Sequence, residues 1–163
     1  MRIFSFPLVG RCFWAALVLF MMGNSACQSD TAVETSQDLA ANQWLFEETK
    51  TFTFEIAEPN AYQLDFFIRQ TPQYPFCNLY THYQLISPKG DTLENRLAQH
   101  DLYDCKTGKP NGKGIGDYYE HALPLLQNYQ LDKGKYELRL QQYMRTDTLS
   151  GVASIGLRLK RAE

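Results

Sequence analysis

In the stretch Thr51-Phe52-Thr53-Phe54-Glu55-Ile56 (TFTFEI), large apolar side chains alternate with polar ones without a slip. Successive side chains of an extended chain point to opposite faces, so this period of two predicts a strand buried on its Phe52, Phe54, Ile56 face and wet on the other. The same template fits Tyr62, Leu64, Phe66 and Ile68, then Leu79, Tyr83 and Leu85, then Tyr136, Leu138 and Leu140. It fits last Ala153, Ile155, Leu157 and Leu159, set against Ser154, Arg158 and Lys160. Weaker strands are expected near Thr92 to Leu97 and Glu120 to Leu131. Glu58-Pro59-Asn60, Ser87-Pro88-Lys89-Gly90-Asp91, Asp132-Lys133-Gly134 and Ser150-Gly151 separate them, each with a residue that fixes φ or tolerates a positive one. After Trp44 no run of ten residues carries a helical period. The prediction is an all-β domain over 44–163, an antiparallel β-sandwich, with a partly closed β-barrel as the alternative.

Upstream of that domain the chain reads as an export leader. Arg2 and Arg11 are followed by the unbroken apolar run Phe13 to Met22 and then by Gly23, Asn24, Ser25 and Ala26. Charged start, short apolar run and small residues at the cleavage point make residues 1–26 a signal peptide. The apolar run is about half the roughly 20 residues that a bilayer span needs. Ser25-Ala26-Cys27 matches the end of a lipobox, with Asn24 where a Leu is usual, so Cys27 is the expected lipidation site; plain secretory cleavage is the alternative. Acyl chains on Cys27, palmitate among them, contribute about 0.8 kcal/mol per buried CH₂, which makes such attachment lasting. Gln28 to Gln43 is polar, lacks aromatics and shows no sustained period, and it is expected to be a flexible tether on the order of 20 Å long. The domain plan is therefore leader at 1–26, lipidated cysteine and tether at 27–43, and folded domain at 44–163.

Charge and motif content narrow the chemistry. Two of the 16 basic side chains lie in the leader, which leaves 14 against 18 acidic ones, a balance that argues against nucleic acid as a partner. Gly108 to Gly116 (GKPNGKGIG) resembles a phosphate cradle, but its glycine spacing is wrong, Gly114 follows Lys113, and no helix is expected after it. It reads as a mobile connecting loop. His82, His100 and His121 are scattered, so no metal site is expected, and no cofactor. No nucleophile elbow occurs, and no catalytic residue is nominated; the protein is expected not to be an enzyme. Cys77 and Cys105 can pair in an oxidising compartment, and spacing alone leaves both a disulfide and two free thiols open. Tyr74, Tyr80, Tyr103, Tyr118 and Tyr119 are candidates for an aromatic platform toward a sugar or another protein, or for core and rim packing.

Three segments carry a family resemblance: Tyr74-Pro75-Phe76-Cys77-Asn78-Leu79, Gly112 to Asp117, and the close from Gln142-Tyr143-Met144-Arg145 through Leu149-Ser150-Gly151-Val152 to Ile155-Gly156-Leu157-Arg158. In order and spacing the chain resembles the GldH family, gliding-motility lipoproteins of the Bacteroidetes, over nearly all of the part after Cys27. The resemblance implies a lipid-anchored envelope component, expected at the outer membrane, of the gliding machinery associated with type IX secretion. It implies action through protein contacts, with other gliding lipoproteins such as GldJ as neighbours, and Cys27 as the residue that carries the lipid. Members of that family commonly have a small polar residue where Cys77 stands, so a Cys77–Cys105 bridge would be particular to this chain. The alternative reading of the residues is a sugar-binding module or glycan-active lipoprotein, displayed on the surface or in the periplasm.

Overall fold

The computed structural model describes residues 31–162; the leader and Cys27 lie outside them. Among the described residues eleven strands run β1 (Thr31–Asp38), β2 (Gln43–Leu45), β3 (Lys50–Ile56), β4 (Asn60–Gln70), β5 (Asn78–Ile86), β6 (Thr92–Asp101), β7 (Lys113–Ile115), β8 (Tyr118–Leu131), β9 (Gly134–Gln142), β10 (Thr148–Ser150) and β11 (Val152–Arg161). A five-stranded sheet has the order β1-β11-β4-β8-β7 and a four-stranded one β3-β9-β5-β6, with β2 and β10 as a separate ribbon. All pairs are antiparallel. Neither sheet closes on itself, so the fold is the sandwich and not the barrel. The only helical piece among the described residues is a 3₁₀ turn at Ala40–Asn42.

The alternating residues make the core. Register places Leu64, Phe66 and Ile68 of β4 beside Leu159, Leu157 and Ile155 of β11, and all six are buried. From the facing sheet come Phe52, Phe54 and Ile56, Tyr136, Leu138 and Leu140, and Leu79, Tyr83 and Leu85. Phe54 stacks on Tyr136, its cross-strand partner, at 5.7 Å between centroids. Trp44, fully buried, closes one end against Phe66 and donates its indole N–H to the Glu48 carbonyl at 2.9 Å.

Two expectations are corrected. Thr31–Asp38 is not tether but strand β1, paired with β11 from Thr31↔Lys160 to Asp38↔Ser154. Its inward positions, Val33, Thr35 and Gln37, offer one large apolar group among them, because an edge strand needs little core. The part of the expected tether that precedes Thr31 lies outside the described residues, and four residues at full extension reach about 14 Å. The Gly108–Gly116 loop is likewise only partly a loop, since Lys113–Ile115 forms β7 against Glu120, Tyr119 and Tyr118.

On the outer face of the larger sheet, Phe67 is also buried, which is unusual for a side chain pointing away from the sandwich. It lies across Gly156, where a Cβ would come within 2.2 Å of the ring. The Arg158 guanidinium covers the ring from 5.3 Å, a cation–π contact. Arg158 also holds Glu34 of β1 through two bonds, at 2.8 and 3.0 Å, and reaches Glu120 of β8 at 3.7 Å, while Glu120 takes Arg69 of β4 at 2.8 Å. Hydrogen bonding to Arg158 is the main reason the Glu34 carboxyl titrates below its ordinary value. Gly156→Ala should lower stability by about 3 kcal/mol, because ring and backbone carbonyl both crowd the new methyl. Gly114→Ala, whose Cβ meets nothing nearer than 3.9 Å, should change the urea midpoint little.

Candidate interaction surface

Three short segments converge at one end of the sandwich. The turn after β2 carries Phe46, the entry to β5 carries Phe76, and the turn after β9 carries Tyr143, Met144 and Arg145. With Tyr80 and Leu97 from the outer face of the smaller sheet, they line a groove of about 730 Å³. Its rings are open to solvent: Tyr143 is 49%, Phe76 39% and Phe46 37% exposed, and Leu97 at the rim is 56% exposed. Phe46 and Tyr143 sit 5.9 Å apart, and the His82 ring follows Tyr143 at 6.0 Å. Beyond His82 the same sheet face continues as a polar trough lined by Thr49, Thr51, Gln84, Arg139 and Gln141.

Local chemistry holds each segment in place. The Gln142 side chain, fully buried, donates to the Thr146 carbonyl at 3.0 Å and accepts from the Met144 N–H at 2.8 Å, pinning the turn that presents Tyr143. Tyr143 N–H donates to the Tyr80 carbonyl at 2.7 Å, and Phe46 N–H to the Asp147 carbonyl at 2.8 Å. A disulfide joins Cys77 to Cys105 beside Phe76, and the Leu102 and Tyr103 N–H groups both donate to the Cys77 carbonyl at 2.9 Å. Arg145 is exposed and has no acidic partner among the described residues, whereas Arg139 and Arg96 are paired with Glu137 and Glu94.

The five tyrosines do not form one platform. Tyr80 lines the groove; Tyr74, Tyr103 and Tyr119 border a smaller cleft at the disulfide; Tyr118 lies in a third depression with Ile115. Tyr74 is buried, with its hydroxyl on the Asn78 carbonyl at 2.8 Å. Phe76 is open to the groove, whereas Leu79, three residues on, is buried. Phe46, Met144 and Arg145 escape a periodicity reading, since they sit on turns; the signal Phe46 and Met144 offered was a large apolar residue outside any strand. Among the described residues no three His, Cys, Asp or Glu side chains gather as for a metal, and no helix is long and apolar enough to cross a membrane.

Register also orients the groove relative to the chain's start. β1 begins beside Lys160, Gln63 and the first turns of β4, and runs eight residues to Asp38, level with Arg69 and Glu120. The groove segments follow from that second end, so the groove lies at the end remote from Thr31.

This geometry defines a single β-sandwich module that holds an aromatic groove away from its point of entry. Residues 31–159 match the profile of the family described as GldH lipoprotein, and the chain belongs to that family. It is similar to the gliding motility lipoprotein GldH homolog of Christiangramia forsetii (26% identity, 93% of this chain and 94% of the relative). It is similar also to the gliding motility lipoprotein GldH of Flavobacterium johnsoniae (25% identity, 94% and 96%). Solved structures superpose loosely. A cellulose-specific carbohydrate-binding module, CBM28, gives a TM-score of 0.42 at 8% identity over 80% of each chain. The VP2 subviral particle of infectious bursal disease virus gives 0.39 at 16% over 81% of this chain and 33% of that one. As a member of a lipoprotein family, the protein is membrane-anchored in the cell envelope.

Removing the bridge by Cys77→Ala with Cys105→Ala should cost roughly 3 to 4 kcal/mol, the loop-closure value for a 28-residue separation, read as a lower urea midpoint. Stability should also fall with acid. His100, bonded to Thr81 Oγ1 at 3.1 Å, and His121, whose Nε2 has no partner among the described residues, are both buried, and burial lowers the affinity of each for a proton. The unfolded chain therefore binds protons first: stability is complete above about pH 7 and declines as pH falls through about 6.5 toward the folded values. Urea midpoints should be lower near pH 5.5 than near 7.5, and His121→Leu should flatten the difference.

Proposed function

We propose that this protein is a lipid-anchored part of the gliding-motility machinery, working beside the type IX secretion apparatus and acting without catalysis through protein contacts made in the aromatic groove. Membership of the GldH lipoprotein family is the observation that carries the reading, with the groove as its physical support. Two Phe, two Tyr, a Met and an Arg without an acidic partner among the described residues are the residue types enriched where proteins bind proteins. In the proposed arrangement Cys27 carries the lipid in the outer membrane, the short span to Thr31 keeps the sandwich close to the bilayer, and the groove faces outward to neighbours such as GldJ.

A second reading has its own support. The polar trough beyond His82 offers Gln84, Gln141, Arg139 and two threonines beside exposed rings, a combination that also suits a sugar chain. Soluble oligosaccharides that displaced the partner would favour it.

The test is a deletion strain complemented in turn by wild type, Cys27→Ala, and the Phe46→Ala, Tyr143→Ala double variant, scored for type IX cargo secretion and surface spreading. Wild type should restore both. The double variant should stay in the membrane fraction at normal amounts yet fail to restore, since losing two anchors at about 2 kcal/mol each weakens binding several hundredfold. Full rescue by the double variant would remove the groove from the mechanism; undisturbed secretion and spreading in the deletion itself would remove the motility reading.

A further inference from the structure

The free edge of the smaller sheet is β6, and along it runs Leu93-Glu94-Asn95-Arg96-Leu97. Read backwards this segment is Leu-Arg-Asn-Glu-Leu: the same residue types in the same places, with the two charges exchanged. An antiparallel strand pair brings residue i opposite residue j with i + j constant. A second copy laid against the first about a twofold axis through Asn95 thus sets Leu93 opposite the other Leu97, Glu94 opposite the other Arg96, and Asn95 opposite itself. Every contact off the axis in such a pair is made twice, as an isologous interface requires.

From Glu94 to Leu97 the ladder to β5 is regular and Leu93 is the bulged residue at its start, so the structure leaves the Glu94–Leu97 edge open for that pairing, with Leu93 beside it. Among the described residues no strand lies beyond β6, and Asn111 covers the edge only at its last residue and just past it, its side-chain amide donating to the Asp101 carbonyl at 3.0 Å and its N–H to the Leu102 carbonyl at 2.9 Å. Leu93 and Leu97 are 40% and 56% exposed, large apolar groups on a strand with unpaired backbone. Arg96 stands in solvent above a largely covered Glu94, with side chains 65% and 10% exposed. The other edges lack these features. β1 is polar, β7 is three residues long, and β3 shows Thr51, Thr53 and Glu55 to solvent.

We infer that β6 pairs with β6 of a second copy of this chain, joining two four-stranded sheets into one of eight strands. The twofold puts a Leu93–Leu97 contact on the rim of each aromatic groove, so dimer formation and whatever the groove binds share Leu97. The inference stands on the strand itself and is independent of the role proposed above.

Register makes it testable in the full-length protein, in the envelope, by cysteine cross-linking. Directly opposite residues in an antiparallel pair have Cα atoms about 4.5 to 5.5 Å apart, within reach of a disulfide. Asn95→Cys should therefore give a reducible product of twice the monomer mass on a non-reducing gel. Leu97→Cys alone should not, since it sits four residues, or about 13 Å, from its own twin; Leu93→Cys with Leu97→Cys in one chain should. Added to Asn95→Cys, Arg96→Glu should abolish the product by setting like charges opposite, and Glu94→Arg with Arg96→Glu should restore it. That rescue separates lost pairing from lost folding. No product from Asn95→Cys in normally accumulating protein would overturn the inference. So would equal products from Asn95→Cys and Leu97→Cys, which means random collision, and so would a product of another mass, which assigns the edge to a strand from a different protein.

Discussion

The absence of a side chain at position 156 is the constraint on which much of the larger sheet depends. Phe67 needs the space above Gly156, and with a methyl there the ring would have to lift away. In place, the ring gives Arg158 a surface to lie on, and Arg158 gives Glu34 and Glu120 a shared cation. Each of these ion pairs would contribute little alone at a partly exposed site. Fixed over a buried ring and linked through Arg69, they form a network that crosses β1, β11, β4 and β8 and covers apolar surface that would otherwise meet water. Strand β1, with so little of its own to bury, is held by its ladder to β11 and by this network.

That attachment has a mechanical consequence for an anchored protein. β1 is the first described strand, so with Cys27 as the proposed anchor a pull between membrane and domain would load the β1–β11 ladder along the strand direction. Seven paired positions and the two-pronged Glu34–Arg158 contact share such a load at once, rather than breaking one after another. At the opposite end the turns that make the groove are fixed by other means: a buried amide at Gln142, an indole N–H at Trp44 and the Cys77–Cys105 bridge. Rings held this way lose little freedom when something binds them, which is how exposed aromatic residues become effective anchors.

How much of this could be read from residues alone depends on how each part is stabilised. Strands that supply core, such as β3 with Phe52, Phe54 and Ile56, announce themselves by period, and their facing arrangement as a sandwich follows. β1 does not, because its partners are a backbone ladder and a surface arginine 124 positions away, neither of which leaves a local apolar pattern. The groove was hidden for a related reason: Phe46, Phe76 and Tyr143 are far apart in the chain and meet only because three turns end at the same height. Between an aromatic platform and core and rim packing the tyrosines gave no decision, because their spacing defines no face once they fall on different strands and turns. A glycine inside the last strand, Gly156, is visible in the sequence, but its neighbour Phe67 is set by the register of β4 on β11.

Edges complete the physical picture. A sandwich with two open sheets has four of them, and each is a row of backbone donors and acceptors that another chain can claim. Three carry ordinary protection: β1 bears Glu34 and Asp38, β7 is too short to offer a ladder, and β3 turns threonines and Glu55 outward. On β6 the two charges are tied to each other, no Lys or Pro intervenes between Thr92 and Asp101, and leucines stand at both ends of the charged pair. An edge guarded only by a bulge at Leu93 and by the Glu94–Arg96 pair is costly for a protein held at high local concentration on a membrane, since it invites indiscriminate pairing. Its charge order limits the invitation, because only a segment with the reverse order of charges, such as β6 itself, meets it without a clash. The same order that makes the edge selective is what makes it self-complementary.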